Sequence, residues 1–493
     1  MIPMSLADLA EVVDGTVAEP HAGTRIGPDV VIDSREAGPG ALFIALAGER
    51  SDGHRHVAAA LEAGAAAALV AADRWHGPAE LPVVAVADPR TALGRLARHV
   101  IDRATGHGLT VVGVTGSMGK TSTKDLLGHV LATDAPTVAP RNSFNNEIGV
   151  PLTATRVGTD TGYLVSEMGA RGIGHIALLC GLTPPRIGLV LNVAHAHIGE
   201  FGSQQAIARA KGELVEALPP DGWAVLNADD PLVAAMADRT GARIAWFGER
   251  RPAPDCATGD VEAPTLAVWP QDVGHDSWGR HEFLLAVAGR HPEHSTLDGP
   301  VGRVRLATPG RAQLANALAA AAAAIAAGVA PAVVARALDG AGVTSPWRME
   351  LTELADTTMV VNDAYNANPD AMLAALTTAT TMAADNRRRL GVVLGDMLEL
   401  GDEAMADHAA VGRAVAGAAA GWAVFVGEYA GVQAEAAAAA GMPSDAVRQV
   451  ADAAGAAAVL AELRRPGDVV LVKASRGVGL ETVAVRLAEE GTR

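Results

Sequence analysis

The stretch VTGSMGKTSTKD, residues 114–125, has the residue types and spacing of a phosphate-binding loop. Gly116 and Gly119 bracket a Ser and a Met, and Lys120 and Thr121 follow directly. An apolar run typical of a buried strand precedes the loop, and a run of helical length follows it. A chain that turns from a strand through glycines into a helix points backbone N–H groups and the positive helix end at one place. We therefore predict a nucleotide site in which an exposed Lys120 reaches the terminal phosphates and the Thr121 hydroxyl binds Mg²⁺.

One position departs from the usual phosphate-loop pattern. That pattern has a glycine five residues before the Gly-Lys pair, and here the position holds Val114. The alternative interpretation is a glycine-rich turn between a strand and a helix, with an incidental Gly-Lys-Thr. The strand before and the helix after favour the phosphate site, because the backbone geometry supplies the donors without a fixed motif.

Three further segments place charged or titratable side chains on the predicted elements. Glu167 ends the predicted strand YLVSEMG, and His195 and His197 follow the predicted strand RIGLVLNV. Ligands of open α/β sheets lie at the carboxyl ends of the strands, so the Glu167 carboxylate can face bound phosphate through a metal ion. Lys211 lies on the predicted helix that contains ARAKGEL. Taken singly, Glu167 could instead pair with a nearby Lys or Arg, and Lys211 could be a solvated helix residue.

The elements that must position these residues alternate along most of the chain. Short β-branched runs alternate with Ala-rich segments of helical length, which is typical of an α/β protein with mostly parallel sheets. A chain of 493 residues is too long for one core, and we predict three domains. These are a small α/β domain at 1–107, a central domain with a P-loop ATPase-like doubly wound sheet at 108–344, and a Rossmann-like domain at 345–493. Within the central domain, the composition of residues 250–308 predicts an antiparallel β excursion.

Composition limits the class of protein. A formal charge of −17 argues against a general binder of nucleic acid or of anionic membranes, because both attract a basic surface. The two cysteines, Cys180 and Cys256, provide no disulfide framework, so a reducing cytoplasm fits. The Ala-rich stretch 316–338 is broken by Gly328 and Pro331 and predicts two buried helices, not a membrane span. We expect a monomer.

The phosphate loop and five other segments resemble one enzyme family. The form Thr-Gly-x-x-Gly-Lys-Thr resembles that of the Mur ligases, ATP-dependent amide-forming enzymes that share the loop with folylpolyglutamate and cyanophycin synthetases. Within this family, five segments resemble the MurF type, and they occur in the right order over all three predicted domains. They are DSREAGPGALFIALAGERSDGHRH, NSFNNEIGVPLT, DAYNANPDAM, LGDMLELG and VKASRGVGLE. The Asp-Asn-Pro-Arg motif of MurE-type enzymes is absent from the sequence.

The resemblance implies an activity. MurF-type enzymes join D-alanyl-D-alanine to UDP-N-acetylmuramoyl-tripeptide in cytoplasmic peptidoglycan precursor synthesis, with ATP and two Mg²⁺ ions. The tripeptide carboxylate would attack the γ-phosphate of ATP, and the dipeptide amine would then displace phosphate from the acyl phosphate. Two alternatives stay open, another amide ligase of the folylpolyglutamate or cyanophycin type and a nucleotide-binding regulatory ATPase. The third residue of the tripeptide, diaminopimelate or lysine, stays open as well.

A metal site is implied by the same resemblance. In the superfamily a metal-binding His lies five residues after an Asn, which from Asn192 gives His197 and leaves His195 as a surface or packing residue. Lys211 resembles the lysine that these ligases carbamylate. Glu167, His197 and the carbamate would then hold Mg²⁺, and the phosphate-loop threonine would belong to one of two metal sites.

Roles for individual residues follow from the resemblance. The catalytic residues would be Lys120, Glu167, His197 and Lys211. The ATP-binding residues would be Thr115, Gly116, Ser117, Met118, Gly119, Lys120, Thr121, Ser122, Asn316, Arg348, Asp363, Tyr365 and Asn366. The substrate-binding residues would be Ser34, Arg35, Asp52, Gly53 and His54 at the UDP end, then Asn142, Asn145 and Asn146, and Lys473, Ser475 and Arg476 near the dipeptide.

Two features fit the resemblance less well. The family has Gly-x-His-Asn before its Ala-rich helix, whereas here Ala312 and Gln313 occupy the positions of the His and the Asn. The predicted β excursion contains four histidines that could suggest a further metal site, namely His275, His281, His291 and His294. They lie in irregular, polar sequence, and we favour structural roles for them.

Overall fold

A computed structural model describes residues 1–48, 51–78, 80–194, 201–252 and 265–491. His195, His197 and Cys256 lie outside these ranges. The described residues form three large sheets of mostly parallel strands with helices packed on them. This arrangement confirms the predicted α/β class.

The N-terminal region forms a five-stranded sheet. The strands of this sheet are β2 Thr16–Val17, β4 Val30–Val31, β5 Leu42–Ile44, β6 Ala67–Ala71 and β7 Val83–Val86. Two further short strands, β1 Met4–Ser5 and β3 Arg25–Ile26, pair with each other. Its helices are α1 Leu6–Val13, α2 Val57–Glu62 and α3 Pro89–Thr105. The strand order is β2-β7-β6-β5-β4, and only β2 runs antiparallel to its neighbour.

The central region forms a nine-stranded sheet. Its strands are β8 Thr110–Thr115, β9 Thr137–Val138, β10 Tyr163–Glu167, β11 Ile187–Val190, β12 Trp223–Asn227, β13 Arg243–Phe247, β14 Thr265–His275, β15 His281–His291 and β16 His294–Arg305. The helices are α4 Lys120–Leu131, α5 Gly149–Ala154, α6 His175–Leu182, α7 Gln204–Glu216, α8 Pro231–Ala234, α9 Arg311–Ala326 and α10 Pro331–Leu338. The order is β16-β15-β14-β13-β12-β11-β8-β10-β9, so β8 lies between β11 and β10. The strands β14, β15 and β16 run antiparallel to one another. They extend the sheet because β14 pairs with β13 in parallel.

The Ala-rich stretch forms two buried helices, α9 and α10, as predicted. Alanine side chains let α9 pack closely against α4 and the sheet, and residues 317–325 are fully buried. The break falls at Gly328, whose φ of +98° favours glycine. No helix in the described ranges is long and apolar enough to cross a membrane.

The C-terminal region forms a six-stranded sheet. Its strands are β17 Glu350–Glu353, β18 Met359–Asn362, β19 Leu390–Gly395, β20 Trp422–Val426, β21 Val447–Val450 and β22 Val469–Lys473. Its helices are α11 Pro369–Asp385, α12 Ala404–Gly417, α13 Ala430–Ala439, α14 Ala453–Leu463 and α15 Glu481–Gly491. The order is β17-β18-β22-β19-β20-β21, with only β17 antiparallel.

Candidate active site

The phosphate loop connects β8 to α4 and is held by contacts within the protein. Gly119 caps α4 with a φ of +81°, a left-handed value that glycine adopts without strain. Lys120 Nζ donates to the carbonyl of Gly116 at 2.7 Å. Asn192, just after β11, accepts from the backbone N–H of Met118 at 2.9 Å and donates to the Met118 carbonyl at 3.2 Å. The neighbouring strand therefore holds the loop through one side chain.

Glu167 is brought to the loop by strand register. It ends β10 opposite Val114, and its side chain is buried. Its Oε1 accepts from Asn145 Nδ2 at 2.8 Å and from the Thr121 hydroxyl at 3.3 Å. Its Oε2 is buried and has no hydrogen-bond partner among the described residues. A buried carboxylate oxygen of this kind is suited to a cation.

Lys120 lies deeper than we expected for a loop residue. The prediction of an exposed side chain is wrong, because Lys120 is half-buried beside Glu167. Burial lowers the pKa of Lys120, the Glu167 carboxylate opposes that shift, and the Arg348 cation adds to it. Lys120 is therefore held within the protein, at the place where its positive charge would neutralise bound phosphate.

Lys211 is also buried, at 5 % exposure. Its helix, α7, approaches β8 closely because Gly113 has no side chain, and a Cβ there would lie 2.8 Å from Leu214 Cδ1. Burial, and then the Lys120 cation, lower the pKa of Lys211 well below its ordinary value. The alternative of a solvated helix lysine is therefore wrong.

Arg348 connects the C-terminal region to the phosphate loop. Its Nη2 donates to the Thr121 hydroxyl at 2.8 Å and to the Ser143 hydroxyl at 3.1 Å. Its guanidinium lies 4.1 Å from the ring centroid of Tyr365. Lys473 forms an ion pair with Asp363 at 2.6 Å, and this pair holds Asp363 near Tyr365 in the chain.

These groups line one cleft of about 760 Å³. The predicted residues that line it are Ser117, Met118, Gly119, Lys120, Thr121, Ser122, Asn145, Asn146, Glu167, Lys211, Asn316, Arg348, Asp363, Tyr365, Asn366 and Lys473. The other described candidates lie outside its lining, namely Ser34, Arg35, Asp52, Gly53, His54, Thr115, Gly116, Asn142, Ser475 and Arg476. His197 lies outside the described residues, so its predicted role stays a prediction.

Two of the candidates outside the cleft lining make hydrogen bonds within the protein. The Thr115 hydroxyl donates to the Met168 carbonyl at 2.9 Å. Ser475 is buried, accepts from the N–H of Leu398 at 2.9 Å and donates to the Ala367 carbonyl at 3.3 Å. These two side chains therefore support the fold and do not face the cleft.

Arg476, Gly116 and Asn142 are placed next to the cleft without lining it. Arg476 stacks over Trp347 at 4.5 Å from the ring centroid. At Gly116, a Cβ would lie 2.8 Å from Leu191 Cβ, so the glycine lets the loop approach β11. Asn142 is exposed and has a φ of +55°.

At the predicted UDP end, Arg35 is exposed and Ser34 is half-buried in the same short turn. Arg35 Nε donates to Asp33 Oδ1 at 2.9 Å, and Nη2 donates to Oδ2 at 2.5 Å. These hydrogen bonds lower the pKa of Asp33 to about 2. The guanidinium therefore lies at the surface, held at one edge by a carboxylate.

His54 differs from Arg35 because both its ring nitrogens are engaged. Nδ1 pairs with Asp52 Oδ1 at 2.6 Å, and Nε2 accepts from the N–H of Ala71 at 2.9 Å. The hydrogen bond from His54 lowers the pKa of Asp52 to about 2. Gly53 is needed for close packing, since a Cβ would lie 2.8 Å from the Leu46 nitrogen. These contacts shape the loop, and the predicted substrate contacts of His54 and Gly53 stay a prediction.

The segment that departs from the family pattern is internally paired. Gln313 Oε1 accepts from Asn316 Nδ2 at 3.0 Å, and Asn316 Oδ1 accepts from the Thr123 hydroxyl at 3.3 Å. Arg311 Nε donates to Glu249 at 2.8 Å. Gln313 therefore orients Asn316, which we predicted as an ATP-binding residue.

The four histidines of the extended strands form two separated pairs. His275 lies 3.7 Å from Asp385 and its ring is 5.9 Å from that of His281. His291 stacks on Trp223 at 5.5 Å and lies 4.9 Å from His294. Within the described ranges no group of three or more His, Cys, Asp or Glu side chains could hold a metal ion. The geometry favours structural roles.

Sequence reasoning missed Ser143 and Asn192 as side chains of the site. Ser143 lies within the Asn-rich segment NSFNNEIGVPLT, whose asparagines drew attention, and its hydroxyl is 2.8 Å from that of Thr121. Asn192 served only as a spacing reference. Its position directly after a strand next to β8 was the available signal.

Comparison with known sequences covers all three regions. Residues 29–100 match the Mur ligase family catalytic domain, 114–324 the Mur ligase middle domain, and 347–476 the Mur ligase glutamate ligase domain. A Mycobacterium tuberculosis (strain ATCC 25618 / H37Rv) protein named UDP-N-acetylmuramoyl-tripeptide--D-alanyl-D-alanine ligase is 42% identical, covering 100% of this chain and 99% of that protein. The chain belongs to the Mur ligase family.

Solved structures of the MurF type agree with this Mur ligase in fold. MurF from Acinetobacter baumannii has a TM-score of 0.81 and 29% identity, with 99% of each chain covered. MurF from Thermotoga maritima, solved in complex with ADP, has a TM-score of 0.74 and 26% identity, covering 94% of this chain and 98% of that chain. The resemblance inferred from the motifs is thereby confirmed, and so is the expectation of an ATP-using ligase.

Proposed function

We propose that this Mur ligase adds D-alanyl-D-alanine to UDP-N-acetylmuramoyl-tripeptide and converts ATP to ADP and phosphate. The observation that carries the proposal is the cleft in which Arg348 meets Thr121 beside Lys120 and Glu167. Relatives named UDP-N-acetylmuramoyl-tripeptide--D-alanyl-D-alanine ligase match this chain along their full length, and they support the choice of substrates. We further propose that it works as a monomer in the cytoplasm.

The chemistry is activation of a carboxylate followed by amide formation. A tripeptide carboxylate oxygen bonds to the γ-phosphorus of ATP while the bond to the ADP oxygen breaks. The dipeptide amine then attacks the carbonyl carbon of the acyl phosphate, loses a proton, and phosphate leaves. Since both reactants of the first step are anions, the main task of Lys120 and Arg348 is to neutralise charge and to hold the reactants in line.

The donors around Glu167 fit Mg²⁺. Its Oε2 is buried without a partner among the described residues, and the Thr121 hydroxyl lies 3.3 Å from Oε1. We assign both side chains to the metal, with His197 as a further predicted ligand and with two ions in total. When bound, Mg²⁺ would supply positive charge to the transferred phosphoryl group.

Lys211 would join this site as a carbamate. Its lowered pKa favours the unprotonated amine, which is the form that adds CO₂ and so becomes an anionic oxygen donor. Protein equilibrated with ¹³C-bicarbonate should show a carbamate carbon signal by NMR that is lost in Lys211→Ala. A wild-type spectrum without that signal would refute the carbamate.

The three regions would divide the substrates between them. We assign the UDP end to residues 1–107 through Arg35, ATP to residues 108–344, and the dipeptide to residues 345–493, with Arg476 near it. The asparagines at 142, 145 and 146 would lie between the two substrate sites. Closing the regions around the cleft would exclude water from the acyl phosphate.

Phosphate release tests the proposed function. Release from ATP is measured with both substrates, with each one omitted, and with Lys120→Ala as a control. Dependence on both D-alanyl-D-alanine and the UDP-linked tripeptide supports the ligase. Release that is indifferent to both would instead identify a regulatory ATPase and overturn the proposal.

A further inference from the structure

A buried ion pair lies on α4, one turn beyond the phosphate loop. Lys124 and Asp125 are adjacent, their side chains are both 3% exposed, and they pair with each other. Lys124 Nζ also donates to the Pro140 carbonyl at 2.8 Å and to the Ser345 hydroxyl at 3.3 Å. The N–H of Ser345 donates to Asp125 Oδ2 at 2.8 Å. The pair therefore binds the chain at the point where it passes from the central to the C-terminal sheet.

The backbone just after Ser345 adopts an unusual conformation. Trp347 and Met349 have φ values of +60° and +53°, in the left-handed region that large side chains rarely adopt. Such a conformation persists only where surrounding contacts impose it. Arg348 lies between these two residues, and their conformation directs it back to the Thr121 hydroxyl. The position of Arg348 thus depends on how the chain is held on both sides.

Downstream, the segment is held by stacked rings and guanidinium groups. Arg348 lies over Tyr365 at 4.1 Å, and Arg476 lies over Trp347 at 4.5 Å and over Tyr365 at 5.2 Å. The N–H of Met349 donates to Asp363 Oδ1 at 3.1 Å. On the upstream side, the Lys124–Asp125 pair holds the segment through Ser345.

We propose that Lys124 and Asp125 are positioning residues that fix Ser345, and through it keep Arg348 against Thr121. A buried ion pair is often no more stabilising than an apolar pair of the same size, because desolvation offsets the attraction. Stability therefore explains this pair poorly, whereas its three hydrogen bonds to Pro140 and Ser345 fix one backbone arrangement. The inference rests on the proposed function, which assigns Arg348 to the transferred phosphate.

The test replaces the pair by apolar residues of similar size, in Lys124→Met/Asp125→Leu. We expect the variant to fold, since apolar replacement of a buried pair is tolerated, but with a lower melting temperature, because the Pro140 carbonyl and the Ser345 N–H lose their partners. We expect kcat to fall by about tenfold or more, because small misplacement of a catalytic group is costly. In an Arg348→Ala background the same double substitution should change kcat by less than about twofold, because the two effects are not independent.

The matched control is the half-buried pair Arg464–Asp356, which lines no part of the cleft. Arg464→Met/Asp356→Leu should leave kcat within about twofold of wild type. A double variant at 124 and 125 that keeps full kcat, or that lowers kcat equally with and without Arg348, would overturn the inference. If that variant does not fold, Ser345→Ala is used, which keeps the ion pair but removes the hydroxyl that Lys124 contacts. It should lower kcat by about threefold, and an unchanged kcat would also overturn the inference.

Wild-type turnover separates this inference from the proposed function. A wild-type enzyme without dipeptide-dependent turnover would contradict the proposed function, and ADP affinity measured by calorimetry then decides on the pair. A loss of ADP affinity in the double variant that disappears in the Arg348→Ala background supports the positioning role. Unchanged ADP affinity in that case would contradict it.

Discussion

Lys120 is half-buried and Lys211 is buried. Both face the same cleft, and they are expected to differ in charge. Lys120 has the Glu167 carboxylate to support its charged form, whereas for Lys211 the nearby charge that matters is the Lys120 cation. The phosphate-loop pattern identified Lys120 as a candidate, and the resemblance to the Mur ligases identified Lys211. Neither could show how deeply the side chains lie, because burial depends on the approach of α7 to β8 and on the residues around Glu167.

Lys120→Ala should remove most turnover and little stability. The substitution takes away a preorganised cation, and losing one such group typically costs about 100-fold or more in kcat. Among the described residues, the substitution removes one side-chain hydrogen bond, that to the Gly116 carbonyl. Turnover and melting temperature are compared with Arg141→Ala, an exposed control. Near wild-type turnover of Lys120→Ala would contradict the assignment of the loop.

The lowered pKa of Lys211 predicts a pH dependence of stability. In the unfolded chain Lys211 stays protonated up to pH of about 10.4, whereas the folded protein releases that proton at a lower pH. The unfolded state therefore binds more protons in this window, and stability rises with pH. Relative to Lys211→Met, the wild type should gain melting temperature from pH 7 to pH 9 in CO₂-free buffer. A constant or falling difference would show that Lys211 keeps its proton.

Among the elements, the packing of α7 on β8 determines where Lys211 lies. Gly113 allows that approach, because even a Cβ would meet Leu214 Cδ1 at 2.8 Å and Met168 Cε at 3.4 Å. Gly113→Val should destabilise the fold by about 1–3 kcal/mol through overpacking and should also lower kcat. Denaturant unfolding and turnover are compared with Gly241→Ala, since nothing lies within 4 Å of a Cβ there. Unchanged stability and turnover would mean that the helix position is not set by this contact.

The strands that carry the site were predictable as elements, and two other strands were not. β8, β10, β11 and β12 are short apolar runs buried on both faces, the pattern expected of parallel strands. β16 contains Gly299, Pro300 and Gly302 and is stabilised by pairing with β15. β21 is a four-residue edge strand with polar residues. Their sequences lack a clear strand pattern, because long-range pairing compensates for weak local preference.

In the whole molecule, the central and C-terminal sheets meet at one cleft, and this meeting was only partly predictable. Motifs in all three regions indicated the family, because their types and order are specific. The contact of Arg348 with Thr121 was not predictable, since it joins positions 227 apart in sequence. The internal contacts of Ser475 and His54 were not predictable either, because the N–H groups of Leu398 and Ala71 that donate to them are distant in sequence.

Division of substrates between regions predicts a selective effect of Arg35→Ala. The exposed guanidinium lies in a short turn of the N-terminal region, away in sequence from the phosphate loop. Loss of a hydrogen bond to a charged group costs about 1.5–3 kcal/mol, so the Kd of the UDP-linked tripeptide should rise about tenfold or more. The Kd of ADP should stay unchanged. Calorimetry with Arg25→Ala as the control checks this, and equal weakening of both ligands would contradict the division.

The central claim, carboxylate activation followed by dipeptide addition, is tested most directly by following oxygen. UDP-N-acetylmuramoyl-tripeptide labelled with ¹⁸O in its terminal carboxylate is incubated with the enzyme, ATP, Mg²⁺ and D-alanyl-D-alanine. Product and phosphate are then analysed by mass spectrometry. Because one carboxylate oxygen bonds to the γ-phosphorus and leaves with it, we predict a pentapeptide product and phosphate that carries one ¹⁸O per turnover. Unlabelled phosphate, or ATP consumption without a pentapeptide, would contradict the account.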